Sequence, residues 1–299
     1  MRGHQHHETI AEVEIPYESG ESFTIASKTC MHADDADHMV ALADQFREAY
    51  AGQERVGIFD LGDMMSYITP DDKRADFREM APATLAALGD YSDYCEDYLV
   101  NYHEPMAPQI LAFVLGNHEN TFWKKRAQNP TKRVVRRLSV MAGREIPFFP
   151  VGEGHLILKF VHRTSPKSAT WYYKVKLAHG WGVPTVTPNG WKARYLRDAL
   201  LYKDVDLCLY GHVHQLGYEQ HEWIEGPFKT SRGWELWQRH MITGCCGTMK
   251  DMRYAGGVGY ARQKGYGLVQ PGWFEVTITP TTKAPPVAEV RLVRPNGLR

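Results

Sequence analysis

Short apolar runs, each ending in glycine and polar residues, set the rhythm of this chain. Phe23-Thr24-Ile25-Ala26, Val56-Gly57-Ile58-Phe59 and residues 110–115 and 205–210 read as strands. Residues 156–161 and 171–177 alternate in polarity and predict a hairpin, and late strands are expected over 239–248 and 273–279. Met39, Leu42 and Phe46 share one face at helical spacing, which predicts a helix over 38–50. Residues 72–101 are expected to be mostly helical, with a charged helix over 120–141 and another over 189–202. Strands interleaved with helices give an α/β class. The polar residues that matter follow the apolar runs. Asp63 follows the second, Asn117 and His118 the third, His179 the hairpin, and His212 and His214 the run at 205–210. Loops beyond the carboxyl ends of strands are where α/β sheets converge on a ligand.

Composition adds limits. A chain of 299 residues, 43% hydrophobic and 23% charged, suits one large domain or two small ones. We expect a flexible tail over 1–20, a main domain over 21–282 and an extension over 283–299. The net charge is zero, so no global field favours nucleic acid or an anionic membrane. Five cysteines at irregular spacing argue against a disulfide framework and for a reducing compartment. No secretory apolar region and no apolar run of ~18 residues is visible, so we expect a cytoplasmic protein with no membrane partner.

One Asp or His after a strand is ordinarily a turn residue or a helix cap. Four such turns in one chain are a constellation. Carboxylate, amide oxygen and imidazole together suit a divalent ion, with Mn, Fe, Zn and Mg as candidates. The order Gly62-Asp63, Gly116-Asn117-His118-Glu119, His179-Gly180 and Gly211-His212-Val213-His214 resembles the calcineurin-like metallophosphoesterase superfamily. The layout is most similar to compact phosphoesterases of phages and bacteria, which places the protein in the cytoplasm of a bacterium or of a phage-infected cell.

The resemblance implies a four-layer αββα sandwich of two mixed sheets flanked by helices, and one or two divalent ions per chain. It implies that Asp63 bridges two metals and acts in catalysis, that Asn117, His179 and His212 complete the second site, and that His214 belongs to the first. His118 would act on the leaving-group oxygen, with Glu119 orienting it or ending the loop. The implied activity is hydrolysis of a phosphate mono- or diester by metal-activated water, with nucleotide or nucleic acid among the candidate substrates. The alternative is a non-catalytic metal- or phosphate-binding protein on the same fold.

The family's opening Asp-x-His element aligns with Ser27-Lys28-Thr29-Cys30, so lysine replaces the aspartate and cysteine the histidine. Ser66 stands where the second motif ends in an acidic or amide residue. Three readings stay open. One metal binds and Lys28 takes the place of the other cation; Cys30, His32, Asp34 or Asp35 substitute as first-site ligands; or the chain is a binding relic. Lys28, Arg133, Arg136 and Arg137 form a candidate basic rim for a polyanion. The plainer and preferred reading pairs the arginines with the acidic 90–104 region. Phe122 and Trp123 are candidate contacts for a base or sugar, and His4, His6 and His7 belong to the expected tail.

Overall fold

The computed structural model describes residues 9–73, 75–165, 169–182, 190–231, 233–251, 270–282 and 286–295. Two six-stranded mixed sheets face each other. The first is built from β1 (Ile10–Tyr17), β6 (Glu153–His162), β7 (Thr170–Ala178), β8 (Leu207–Tyr210), β10 (Gly233–Cys246) and β9 (Leu216–Thr230), in that spatial order. The second runs β12 (Val287–Val293), β11 (Trp273–Thr279), β2 (Phe23–Lys28), β3 (Val56–Asp60), β4 (Ile110–Val114) and β5 (Phe148–Phe149). Strands β2 to β5 are mutually parallel, as are β7 and β8. Parallel neighbours need long crossovers. These are made by helices α1 (Val40–Tyr50), α2 (Pro82–Ala86), α3 (Tyr91–His103), α4 (Asn117–Arg126) and α5 (Pro130–Ala142) on one side, and by α6 (Gly190–Ala199) on the other.

Burial explains the layers. Alternation along β6 turns Leu156, Leu158 and Phe160 toward Ile25, Phe59 and Val276 of the opposite sheet, forming the central core. All five residues of β4 are buried, as a strand covered on both faces requires. Phe46, Leu99, Val134 and Leu138 of α1, α3 and α5 cover the outer face of the second sheet. Trp191, Tyr195 and Ala199 of α6 cover the first. The result is the αββα sandwich.

Several sequence expectations change. Ile10–Tyr17, placed in the tail, is an edge strand pairing with β6 in parallel, because Ile15 and Tyr17 turn inward. Residues 287–293, placed in the extension, form β12 against β11. The helix over 120–141 is two helices: Ala127 adopts a left-handed conformation, and Asn129 caps α5, with Pro130 in its first turn. The expected helix over 72–101 is broken into short turns before α3. Strand β9 was not foreseen; its polar, alternating residues lie on a hairpin with β10 that is largely exposed at its far end. His4, His6, His7 and the glycine-rich stretch 252–269 lie outside the described residues.

Candidate metal centre

The parallel strands deliver their carboxyl ends to one cleft. Beyond β2 lie Cys30 and His32, beyond β3 Asp63, beyond β4 Asn117 and His118, beyond β7 His179, and beyond β8 His212 and His214. Three overlapping groups each keep their ligand atoms within 4.8 Å of one another: Cys30, His32 and His214; Cys30, Asp63 and His179; and His32, Asp63 and His118. His32 stacks on His214 with ring centroids 5.5 Å apart and meets His118 edge-on at 4.9 Å. His179 and His212 lie 5.2 Å apart.

Hydrogen bonds at the back of the rings fix which nitrogen faces the cleft. A carbonyl can only accept, so His179 Nδ1 donates to Leu61 O at 2.6 Å and leaves Nε2 as the acceptor in the neutral ring. His212 Nε2 donates to Gly182 O at 2.7 Å and leaves Nδ1. His118 Nδ1 donates to Ser66 O at 2.7 Å and leaves Nε2. His32 Nδ1 lies 2.9 Å from Ser66 Oγ, which donates to Asp35 Oδ2 at 2.7 Å, so His32 also presents Nε2 as an acceptor. The terminal amide of Asn117 reaches 2.9 Å from His179 Nε2, 2.8 Å from His212 Nδ1 and 3.0 Å from Asp63 Oδ2. With its nitrogen turned toward these atoms the amide donates to all three, so the ring nitrogens and the carboxylate converge as acceptors around it.

Two buried atoms aimed into this cluster, His32 Nε2 and His214 Nδ1, have no hydrogen-bond partner. Buried acceptors left unpaired are costly, and a cation relieves them all at once. The donor set therefore fits divalent metal.

For His214 and His32 the protonation tendencies agree. Burial pushes His214 down to about 3 and His32 well below the usual imidazole range, which keeps both rings neutral. Burial works to raise Asp63 and lower His179. The attraction between the two prevails, holding Asp63 well below the carboxylate range and His179 above its own. Burial, and then the Asp63 carboxylate, push the Cys30 thiol up, so thiolate there requires a cation beside it.

Carboxylates behind the ligands hold the loops. Fully buried Glu119 accepts from Asp63 N at 3.1 Å and Met64 N at 2.6 Å. Its role is to anchor that turn; it does not orient His118. Burial and Asp63 push Glu119 up to about 8. Asp34 accepts from Ser66 N at 2.6 Å and Tyr67 N at 3.0 Å. Gly62 and Gly116 permit the close approach of the two loops. A Cβ on Gly62 would lie 2.4 Å from Gly116 N, and one on Gly116 would lie 2.3 Å from Asp63 Oδ1.

The first-site candidates therefore divide. Cys30 and His32 enter the cluster. Asp34 is occupied by backbone, and Asp35 by Ser66 and by Lys250 Nζ at 2.5 Å. Lys28 is neither a metal-site cation nor a rim residue. It is 1% exposed and pairs with Asp60 at the end of β3, beside the Tyr102 ring. The pair of side chains beyond β2 that enters the cluster is Cys30 and His32, two residues later than Lys28 and Cys30. The signal was present: β2 ends at Lys28, and ligands follow a strand's last residue. Arg133 and Arg137 pair with Asp93, Glu96 and Asp97 of α3. Phe122 is in the core, whereas Trp123 is half-buried at the surface.

A cavity of about 460 Å³ opens beside Asn117 and His179, walled by Trp181 and bordered by Glu153 and Asp198. No described helix is long and apolar enough to cross a membrane.

No curated protein matches the chain. Among solved structures, a conserved uncharacterized protein of Streptococcus pneumoniae TIGR4, described as a predicted phosphoesterase, is 14% identical. Its similarity covers 91% of this chain and 100% of that one, with a TM-score of 0.34. Vps29 of Chaetomium thermophilum is 11% identical over 91% of this chain and 100% of its own, with a TM-score of 0.36. The family model for calcineurin-like phosphoesterases matches residues 58–216, more than half of the sequence, and the chain belongs to that family.

Proposed function

We propose that this protein hydrolyses phosphate mono- or diesters with two divalent ions held in the cleft. The observation that carries the reading is the convergence of His, Cys, Asp and Asn side chains from five strand ends on one buried cleft, where His32 Nε2 and His214 Nδ1 have no hydrogen-bond partner. Cys30, His32 and His214 would hold the first ion and Asn117, His179 and His212 the second, with Asp63 available to both. The thiolate of Cys30 in place of a carboxylate biases the first position toward Zn or Fe over Mg. When bound, the ions supply Lewis acidity at the phosphoryl group and an activated water.

The chain's own residues do the rest. His118, held by Ser66 O through Nδ1, presents Nε2 to the leaving-group oxygen and, when it enters the reaction as the imidazolium, gives it the Nε2 proton and returns to the neutral ring. His118 N donates to Asp63 Oδ1 at 3.0 Å, which ties the acid to the shared ligand. The Asp35–Ser66–His32 relay fixes a ring at the first position.

Elemental analysis of protein purified with Mn, Fe and Zn should give two ions per chain. Turnover of p-nitrophenyl phosphate or its bis ester should depend on them, and His118→Ala should lower kcat about 100-fold or more. Full metal occupancy with no turnover of either ester under any of these metals would favour the non-catalytic alternative.

A further inference from the structure

The basic segment after Asn117 serves two purposes, divided by helix face. Arg133 and Arg137, one turn apart on α5, are bound to the acids of α3. Lys132 and Arg136, also one turn apart but rotated about 100° around the axis, turn away from α3. Among the described residues neither pairs with a carboxylate. Both line a groove of about 770 Å³ between α5 and the edge strand β5. Trp123 walls it from α4, and Glu145 is the sole carboxylate in its lining.

The groove's lining adjoins that of the cavity beside the metal site. Pro150 lines the groove, and Val151, the next residue, lines the cavity beside Asn117 and His179. On α4, Trp123 lines the groove, and Asn120, one turn back on the same face, lines the cavity. Trp123 stands six residues along that helix from Asn117, an axial distance of about 9 Å.

Unpaired cations, an accessible indole and an open trough leading to a metal centre match one kind of ligand. Cations at i and i+4 suit successive charges of a phosphodiester backbone, and a tryptophan suits any base face. We propose that the groove is a track for single-stranded nucleic acid, which it leads to the metal centre. The track names the substrate class of the activity proposed above and rests on that reading for its catalytic meaning. Duplex does not fit the role assigned to Trp123, because paired bases are stacked on each other. An acidic peptide would use the cations but gain less from the indole.

The test is fluorescence anisotropy with the metal-loaded full chain and a labelled phosphorothioate oligothymidylate of about 12 nucleotides, over a salt series. The same measurement is made with a duplex and with an acidic peptide. Lys132→Ala with Arg136→Ala should weaken oligonucleotide binding and flatten its log–log salt slope by about 1.4. Trp123→Ala should weaken binding roughly 5- to 100-fold and leave the slope unchanged. Turnover of the small chromogenic esters should stay at the wild-type level in both variants, since neither touches the acceptor cluster. Equal oligonucleotide affinity in wild type and the double variant overturns the track, as does tighter binding of duplex or peptide. Groove-dependent binding without ester turnover upholds the binding track and sinks the hydrolase reading. Ester turnover without groove-dependent binding overturns the track alone.

Discussion

Replacing Lys28 with methionine separates a buried structural ion pair from a metal-site cation. Lys28 and Asp60 are each 1% exposed, and Asp60 also accepts from Gly62 N at 3.1 Å and has His103 Nε2 3.1 Å away. Methionine fills the volume of the lysine stem and removes the charge, leaving a carboxylate with no cation beside it. Breaking a buried pair in this way costs about 3–5 kcal/mol, which for a chain of this size is a fall in Tm of roughly 5–8 °C. Acid should narrow the gap. Burial raises Asp60, but Lys28 and then His103 prevail and lower it to about 2 in the wild type. That carboxylate's contribution is therefore complete above its unfolded pKa near 4 and fades as pH falls toward 2. In the variant the buried carboxylate protonates at higher pH, and His103, freed from the ammonium that helps hold it neutral, takes a proton more readily. Both changes relieve the variant, so the difference in Tm should be largest at pH 7 and shrink toward pH 4. Metal content per folded chain should be unchanged, because Lys28 lies outside the acceptor cluster. Thermal denaturation at both pH values with elemental analysis covers every point. Unchanged Tm together with altered metal content would refute the assignment and return Lys28 to the cleft.

Three further outcomes follow from the same contacts. Ser66→Ala unties His32 from Asp35 and should weaken metal affinity about 10- to 100-fold, measured by competition with a chromogenic chelator, with little change in the Tm of the metal-free protein. Glu119→Ala leaves the amides of Asp63 and Met64 without their acceptor and should destabilise the fold by about 2–4 kcal/mol in urea denaturation; a loss under 1 kcal/mol would mean that the turn holds itself. Chelating the ions should lower Tm by several degrees, since a ligand at ~100 times its Kd adds about 2.7 kcal/mol; equal Tm with and without chelator would show that folding is not linked to metal.

The layers were legible because burial leaves a period. The strands at 23, 56, 110 and 156 are read from apolar runs that no exposed segment would carry. That Asp63, Asn117, His179, His212 and His214 meet in one cleft was legible because each follows such a run. The misplaced element was His32. No aspartate-x-histidine stands near the end of β2, and Lys28 and Cys30 have the same two-residue spacing as Cys30 and His32. Only the third dimension shows Lys28 answering Asp60. The edge strands were hidden for a different reason. β1 and β12 have one neighbour each and bury few side chains, so Ile10–Tyr17 reads like a polar tail. The division of the α5 cations needed to be seen against α3, because charge alone does not say which arginine has a partner.

Backbone conformation adds an argument that the cleft is built for its ligand before the ligand arrives. Cys30, His32, Asp63, Tyr67, His212 and His214 all have positive φ, between 46° and 68°. Outside glycine that region costs about 1–2 kcal/mol per residue. Five of these six residues contribute side chains to the acceptor cluster, and a chain would not hold so many strained positions together without compensating contacts. The contacts are present. Cys30 N donates to Gly62 O at 2.9 Å, His32 N to Asp63 O at 3.1 Å and Ala33 N to Met64 O at 2.9 Å, which joins the loops beyond β2 and β3. Glu119 and Asp34 hold the second of these loops from behind. The left-handed turns aim successive side chains into one point, and buried carboxylates keep the turns in place. Metal affinity in this protein should therefore depend on Glu119, Asp34 and Ser66 almost as strongly as on the ligands themselves, because they fix where the acceptor atoms stand.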